Sequence, residues 1–161
     1  MDRITPCIWY DGDALGAAEF YVTLLPDSRI AKVTRAPLDT PGNRAGDVMM
    51  VEFELAGQRF MGLNGGPVFP QTEAVSFVIR TDDQAETDRL WDAIVGNGGK
   101  ESACGWCKDR WGVNWQVTPR RLLDLVGDAD GVVAARAMTA MMTMRRIDIA
   151  AIEAAAAGAK A

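Results

Sequence analysis

Two pairs of side chains within one stretch of this sequence have the residue types and spacing of functional groups, one pair for thiol redox chemistry and the other for ligand binding. Cys104 and Cys107 have the CxxC spacing of a redox dithiol, and Asn114 and Gln116 place two amides two residues apart. Residues two apart on a β-strand share one face, so both amides could orient the same ligand through hydrogen bonds. The sequence leaves open whether this face lines a pocket or is an ordinary solvated strand face.

The chain contains no histidine. This absence removes the commonest transition-metal ligand and the commonest general base near neutral pH, and it excludes Ser-His and Cys-His nucleophiles. The CxxC pair lies among strand signals, whereas a redox thiolate is stabilised at a helix N-terminus, and no second CxxC completes a zinc site. We therefore interpret Cys104 and Cys107 as ordinary strand thiols.

The elements that position these residues begin with a predicted β-hairpin over residues 104–119, CGWCKDRWGVNWQVTP. Aromatic and β-branched residues favour a pleated surface, and Asp109 to Gly112 supplies the turn chemistry. Asn114, Gln116 and Thr118 then point to one face and their apolar neighbours to the other. The three tryptophans of the hairpin are either core residues or an aromatic wall beside the amides.

The rest of the chain shows the same order of elements twice. Strand patterns are predicted at residues 4–10, 29–35, 48–55, 59–63 and 74–80. A helix begins at Asp13 after the first strand, and another begins at Thr81 or Asp82 after the fifth. Strand, helix and further strands thus occur at residues 4–63 and 74–119, which indicates two similar modules. Residues 36–47 form a loop that is either a lid or a plain surface loop.

Residues beyond 119 are rich in Ala, Leu and Met and predict two or three helices over 120–126, 131–144 and 147–157. The methionines of this region are Met138, Met141, Met142 and Met144. A flexible binding surface is one interpretation of them. We favour the simpler one, in which unbranched thioethers fill irregular gaps between a helix and a sheet or a partner subunit.

Composition limits the classes of partner. The chain has 161 residues, 48% hydrophobic content, a net charge of -5 and a pI near 4.7. We expect a single domain and no nucleic-acid partner, since phosphate binding needs a basic surface. No stretch is typical of a signal peptide or a membrane span, so we expect no membrane partner. Three cysteines, an odd number, fit reduced thiols in the cytoplasm.

Several segments together resemble a known family. Asp11-Gly-Asp followed by Glu19-Phe-Tyr is one of them, and VEFELAGQRFMGLNGGP, AVSFVIRTDDQAETDRLWDAI, CGWCKDRWGVNWQVTP and MTMRRIDIAAIEAA are the others. They are similar to the PhnB-like branch of the vicinal oxygen chelate superfamily, which also contains glyoxalase I, bleomycin-resistance proteins and extradiol dioxygenases. Members of this branch are often labelled 3-demethylubiquinone-9 3-methyltransferase. The chain has no glycine-rich turn after its first strand, which gives that label little support.

The resemblance implies an α+β fold in which two βαβββ-type modules form curved sheets around a cleft, usually in a homodimer. The modules would span about residues 4–64 and 74–119 of one domain, 1–161, followed by C-terminal helices at about 120–158. The metal enzymes of the superfamily take one ligand from each of four strands. On this chain the four positions fall near Pro6 or Cys7, Gly62, Val75 or Ser76, and Gln116.

Of those positions only Gln116 has a side chain that could coordinate, and an amide alone does not hold a catalytic ion. We therefore predict no metal and no cofactor. Glu52 and Glu54 lie one strand earlier and are interpreted as a solvated strand face, although a register error would bring one of them into the cleft.

The resulting prediction is a small-molecule-binding protein of the glyoxalase/bleomycin-resistance superfamily, without a catalytic metal. The alternative is an enzyme, either a divalent-metal lyase or isomerase of glyoxalase type or a methyltransferase, as the family label suggests. The sequence leaves open whether any reaction is catalysed and which ligand binds. The candidate ligand-binding residues are Gln116, Asn114, Trp106, Ser76 and Asn64.

Overall fold

The computed structural model describes residues 3–158, and the chain divides into two compact units, Met1–Gln71 and Thr72–Ala161. Each unit has its own four-stranded sheet and its own helix packed on that sheet. That the two units together make one domain stays a prediction.

The first unit has the order strand, helix and three strands. Its elements are β1 (Cys7–Tyr10), α1 (Ala14–Tyr21), β2 (Arg29–Arg35), β3 (Val48–Leu55) and β4 (Gln58–Asn64). In the sheet the order is β1-β4-β3-β2, with β1 parallel to β4 and the other pairs antiparallel. The alternating basic strand at residues 29–35 is an edge strand, as its pattern predicts.

The helix α1 packs on the sheet through small residues and a glycine. Gly62 in β4 faces α1, because a Cβ at this position would lie 3.2 Å from the Cβ of Ala14 and 3.3 Å from the ring of Tyr10. Tyr21 of α1 is fully buried against Phe53 of β3. The even-numbered residues of β4 and the odd-numbered residues of β3 therefore form the core of this unit.

The start of α1 is stabilised by a residue from β4. Asp13 occupies the N-cap position, but its side chain makes no capping hydrogen bond. The side-chain oxygen of Asn64 instead accepts the N–H of Ala14 at 2.8 Å. The sequence correctly predicts the start of the helix and Asp13 as its N-cap residue, but it gives no signal for the acceptor from Asn64, which lies 50 positions away from Ala14.

The hairpin between β3 and β4 turns on two residues with left-handed backbone, Ala56 (φ 46°) and Gly57 (φ 78°). Two such residues are typical of the tight turn that matches the twist of a hairpin. The loop at residues 36–47 is anchored to the body of its unit: the side-chain amide of Asn43 donates to the carbonyl of Asn64 at 2.6 Å. This contact favours a surface loop over a lid.

The second unit repeats the first. Its elements are β5 (Phe77–Thr81), α2 (Gln84–Gly96), β6 (Lys100–Glu101), β7 (Trp106–Lys108) and β8 (Asn114–Pro119), in the sheet order β5-β8-β7-β6. The strand β5 is parallel to β8, as β1 is to β4. The prediction of two βαβββ modules in an α+β fold is confirmed, and so is the hairpin of β7 and β8.

The helix α2 begins at Gln84 and is capped by Asp83, rather than by Thr81 or Asp82. The carboxylate of Asp83 accepts the N–H of Glu86 at 2.8 Å, and the Glu86 carboxylate accepts the N–H of Asp82 at 2.9 Å. This arrangement resembles a capping box, except that Glu86 accepts the N–H of the residue before the N-cap and not that of the N-cap itself. Thr81 instead lies in the core, where its hydroxyl is 2.7 Å from that of Thr87.

Three helices follow β8: α3 (Arg120–Val126), α4 (Gly131–Met141) and α5 (Ile149–Ala156). They have a core of their own, built from Leu122, Leu125, Ala137, Ile147, Ile152 and Ala156. Met141 and Met144 pack against this core, as the gap-filling interpretation predicts, whereas Met138 and Met142 are exposed. Within residues 3–158, no helix has the length and apolar content needed to cross a membrane.

Candidate functional site

The predicted amide pair lies on the face of the second sheet that points away from α2. Trp115 and Val117 of β8 are buried, and Thr81 of β5, which shares their face, contacts Thr87 of α2. Side chains alternate along a strand, so Asn114 and Gln116 project from the opposite face. We call this opposite face, with Val78, Arg80, Trp106, Lys108, Asn114, Gln116 and Thr118, the amide face.

Gln116 is the centre of the amide face. It is paired in register with Val78 of β5 on one side and with Trp106 of β7 on the other. Its Nε2 donates a hydrogen bond of 2.8 Å to the hydroxyl of Ser76. The structure thus brings together three of the predicted binding residues, Gln116, Ser76 and Trp106, all of them half-buried.

Asn114 lies beside these residues, but its side-chain amide already donates a hydrogen bond to the protein backbone. Its side chain is buried, 2% exposed, and its Nδ2 donates to the carbonyl of Thr72 at 2.7 Å. Next to it, Lys108 forms an ion pair with Glu73, and the hydrogen bond from Lys108 lowers the pKa of the Glu73 carboxyl. These contacts hold residues 72–76 against the sheet, which positions the Ser76 hydroxyl.

Two side chains on the amide face, Arg80 and Trp106, have hydrogen-bond donors available to a ligand. Among residues 3–158, no carboxylate or carbonyl pairs with the guanidinium of Arg80 or with the indole N–H of Trp106. Arg80 is exposed and Val78 beside it is 49% exposed. A cation, an indole donor and an amide next to apolar surface suit a ligand with acceptor oxygens and an apolar body.

The fifth predicted residue, Asn64, lies in the first unit and is fully engaged there. Its Oδ1 accepts the N–H of Ala14, its Nδ2 donates to the carbonyl of Val48 at 2.8 Å, and it is 2% exposed. Its contacts are those of a residue that joins a helix to a sheet.

The ligand positions that the superfamily would use for a metal do not form a donor set here. Gly62 faces α1, and its strand neighbours Met61 and Leu63 point the other way. The register prediction is therefore one residue off in the first module, and it brings no oxygen or nitrogen donor. Within residues 3–158, no group of three or more His, Cys, Asp or Glu side chains is arranged to hold a metal ion. We derive no metal-dependent step.

Glu52 and Glu54 project from the face of the first sheet that points away from α1, since Val51 and Phe53 occupy the α1 side. Glu52 fits the predicted solvated face, since its side chain is 44% exposed and the nearest cation, Lys32, is 4.0 Å away, whereas Glu54 does not. Glu54 is only 15% exposed and forms ion pairs with Arg29 at 2.9 Å and Arg59 at 3.5 Å. Its negative charge is thus balanced by two guanidinium groups.

The two CxxC thiols have structural environments. Cys107 is buried on the α2 side of β7, and this burial, with the nearby Asp109 and Glu101 carboxylates, raises its pKa to about 12. Cys104 has left-handed backbone (φ 59°), and its N–H donates to the carbonyl of Met144 at 2.8 Å. Both are free thiols, and Cys107 is protonated at neutral pH.

The sequence predicts the turn that begins at Asp109 but misses the contact of the Asp109 carboxylate with Trp115. One oxygen of its buried carboxylate accepts the N–H groups of Trp111 and Val113, and the other accepts the indole N–H of Trp115 at 2.8 Å. An Asp at the first position of a turn is the available signal, since such side chains bond the backbone two residues on. The indole contact has no local signal.

A charged groove of about 920 Å³ lies between α2 and the segment that leads into α5. Arg146 bridges Asp88 and Asp92 across it at 3.3 and 3.2 Å. Gln84 donates to the carbonyl of Ile147 and accepts from the N–H of Ile149. These groups are used to attach the C-terminal helices to α2.

Comparison with known proteins agrees with this fold. Residues 2–118 match the family described as 3-demethylubiquinone-9 3-methyltransferase. Among solved structures, the PhnB protein from Bacillus cereus has 28% identity and a TM-score of 0.66, covering 73% of this chain and 99% of its own.

Two more distant structures share the fold. A Pseudomonas aeruginosa protein has 22% identity and a TM-score of 0.55, covering 74% of this chain and 98% of its own. The fosfomycin resistance protein FosX from Listeria monocytogenes has 9% identity and a TM-score of 0.51, covering 74% and 93%. No functionally curated protein sequence matches the chain. From its match over residues 2–118, the chain belongs to the PhnB-like family described as 3-demethylubiquinone-9 3-methyltransferase.

Proposed function

We propose that this protein binds a small molecule on the amide face of its second sheet and does so without a catalytic metal. The observation that supports this most directly is the Gln116–Ser76 hydrogen bond, which presets an amide between Val78 and Trp106. One hydrogen of the Gln116 amide is used, and its carbonyl oxygen and second hydrogen stay available to a ligand. Binding sites of this kind combine apolar surface with a few placed polar groups.

The free donors of Arg80 and Trp106 give the proposed ligand its chemistry. A carboxylate or another oxygen-rich group would accept from the guanidinium and the indole, while its apolar part would contact Val78. Asn114 contributes by fixing residues 72–76, since its donor is already bonded to Thr72. Asn64 is left out of the proposed face because its amide is engaged in the first unit.

The test is a thermal-shift screen with small carboxylates and their neutral amides, followed by Gln116→Leu. A ligand that binds the native state raises the melting temperature by mass action. Gln116→Leu should weaken the best hit about ten- to a hundredfold, roughly 1 to 3 kcal/mol, because a ligand group loses its partner. The matched control is Gln58→Leu, at the end of the first hairpin, where the side-chain amide donates to the carbonyl of its neighbour Arg59. An affinity unchanged by Gln116→Leu would reject the proposal.

Metal-dependent catalysis of glyoxalase type is the alternative, and the donor set argues against it. We expect the purified protein to contain no stoichiometric divalent ion and to keep its melting temperature in a chelator. One bound ion per chain with Gln116 as a ligand would overturn this part of the proposal. The methyltransferase alternative rests on the family description alone.

We also propose a homodimer in the cytoplasm. Exposed Leu123, Met138 and Met142 offer apolar surface on the C-terminal helices, as an interface requires. The cytoplasm is inferred from the three free cysteines. Light scattering at micromolar concentration tests the dimer, and a monomer would contradict it.

A further inference from the structure

The C-terminal helices contain a second candidate site, separate from the amide face. Residues 120–158, which we call the helical lobe, lie outside the family match at residues 2–118. A groove of about 610 Å³ runs between α4 and the end of α5. Volumes of this size are usual for small-ligand pockets.

The walls of the groove are apolar. Val132, Ala135 and Ala140 from α4 and Ala155 from α5 line it. Thr139 also lines it, but its hydroxyl donates to the carbonyl of Ala135 at 2.8 Å, so its hydrogen is used within the helix. Val132 is 57% exposed, although it is a large aliphatic side chain. The groove therefore offers apolar surface to an apolar chain.

Among the residues of 3–158 that line the groove, Arg136 is the charged one, and its charge is positive. The guanidinium of Arg136 lies over Gly158, where a Cβ would come 2.7 Å from its Nη1. Among residues 3–158, no carboxylate pairs with Arg136, and no acidic residue lines the groove. An unpaired guanidinium beside apolar surface is complementary to an anion that has a hydrocarbon tail.

The position of Arg136 also argues against a second copy of the chain as the occupant. Arg136 is the middle residue of α4 (Gly131–Met141). A two-fold axis through this face would bring two Arg136 guanidinium groups together, with no carboxylate from the groove between them. Like charges placed in this way oppose association.

We propose that the groove between α4 and α5 binds an aliphatic carboxylate, with its carboxylate paired to Arg136 and its chain along Val132, Ala135 and Thr139. A chain of eight carbons can follow α4, because the helix, residues 131–141, extends over about 15 Å at 1.5 Å per residue. The net charge of -5 would by itself favour a cation, so a preference for the anion has to come from this local site.

The experiment is calorimetric titration of the full chain with sodium octanoate and with octylammonium, which carries the same tail and the opposite charge. We expect one octanoate per chain and at least about tenfold weaker binding of octylammonium. Arg136→Gln should weaken octanoate about tenfold and abolish the preference. Ala135→Trp, at an exposed position, should fill the groove and abolish both.

Two control variants separate this site from others. Arg44→Gln removes an exposed charge from the first unit and should leave octanoate binding unchanged. Gln116→Leu should also leave octanoate binding unchanged. The octanoate result is therefore independent of whether the amide face binds a ligand. Octanoate binding that survives both Arg136→Gln and Ala135→Trp, or that is abolished by Gln116→Leu, would overturn the proposal. The proposal would also be overturned if the wild type binds no octanoate and Ala135→Trp turns a dimer into a monomer.

Discussion

The buried carboxylate of Asp109 is expected to stabilise the hairpin that carries the amide face. Asp109 is 4% exposed and accepts three hydrogen bonds, from the N–H of Trp111 at 2.9 Å, the N–H of Val113 at 3.0 Å and the indole of Trp115 at 2.8 Å. Asp109→Ala removes both acceptor oxygens and with them these three hydrogen bonds. The N–H of Val113 and the indole of Trp115 would then be buried without a partner.

The size of the effect follows from these contacts. A hydrogen bond to a charged group contributes roughly 1.5 to 3 kcal/mol, and contributions within one network are not additive. Trp111 is half-buried, so its N–H can regain water. We therefore expect Asp109→Ala to lower the free energy of unfolding by about 3 to 5 kcal/mol. Asp109→Asn keeps one carbonyl oxygen for the two backbone donors and loses the acceptor for the indole. This variant should lower the free energy of unfolding by about 1 to 3 kcal/mol.

Urea denaturation followed by tryptophan fluorescence measures these values. The control is Asp124→Ala, an exposed carboxylate on α3, which should change stability by less than about 0.5 kcal/mol. If Asp109→Ala is as stable as this control, the three hydrogen bonds do not hold the hairpin and our reasoning is wrong. An Asp109→Asn variant as unstable as Asp109→Ala would refute the separate assignment of the indole contact.

Three further predictions concern packing, ionisation and attachment of the lobe. Gly62→Val should destabilise the first unit by about 1 to 3 kcal/mol, measured by denaturation, because its side chain would collide with Ala14 of α1. Cys107 has a pKa raised from 9.0 to about 12, so the native state holds its proton longer than the unfolded state does. Stability should therefore fall as pH rises from about 9 to about 12, and less so in Cys107→Ala. Gln84→Ala should speed hydrogen exchange at Ile149, whose N–H it accepts, and an unchanged rate would contradict that role.

The alternating pattern of the hairpin correctly predicted which of its side chains share a face. Polar residues two apart placed Asn114 and Gln116 on one face, and the apolar residues between them are buried, as the period of a strand requires. The turn at Asp109 to Gly112 was also predicted from the sequence, and Gly112 has a φ of 85° there. Local patterns were sufficient here because both strands and their turn are contiguous in the chain.

Contacts between distant residues could not be derived in this way. Gln116 and Ser76 are 40 positions apart and meet because β5 and β8 are parallel neighbours, which no local pattern specifies. The same limit explains Asn64, whose polar side chain resembles a binding residue and instead caps α1. The superfamily's metal position was predicted near Gly62 to within about one residue, and this uncertainty matters because a shift of one residue moves a side chain to the opposite face of the sheet.

The central claim is that the amide face is the ligand-binding surface, and NMR with a library of small carboxylates tests it directly. We expect the best-bound fragments to shift the side-chain amide of Gln116 and the indole N–H of Trp106, while the exposed side-chain amide of Gln58 stays unchanged. Fragments that bind and shift signals only outside the amide face, or a library that leaves both of those signals unmoved, would contradict the account.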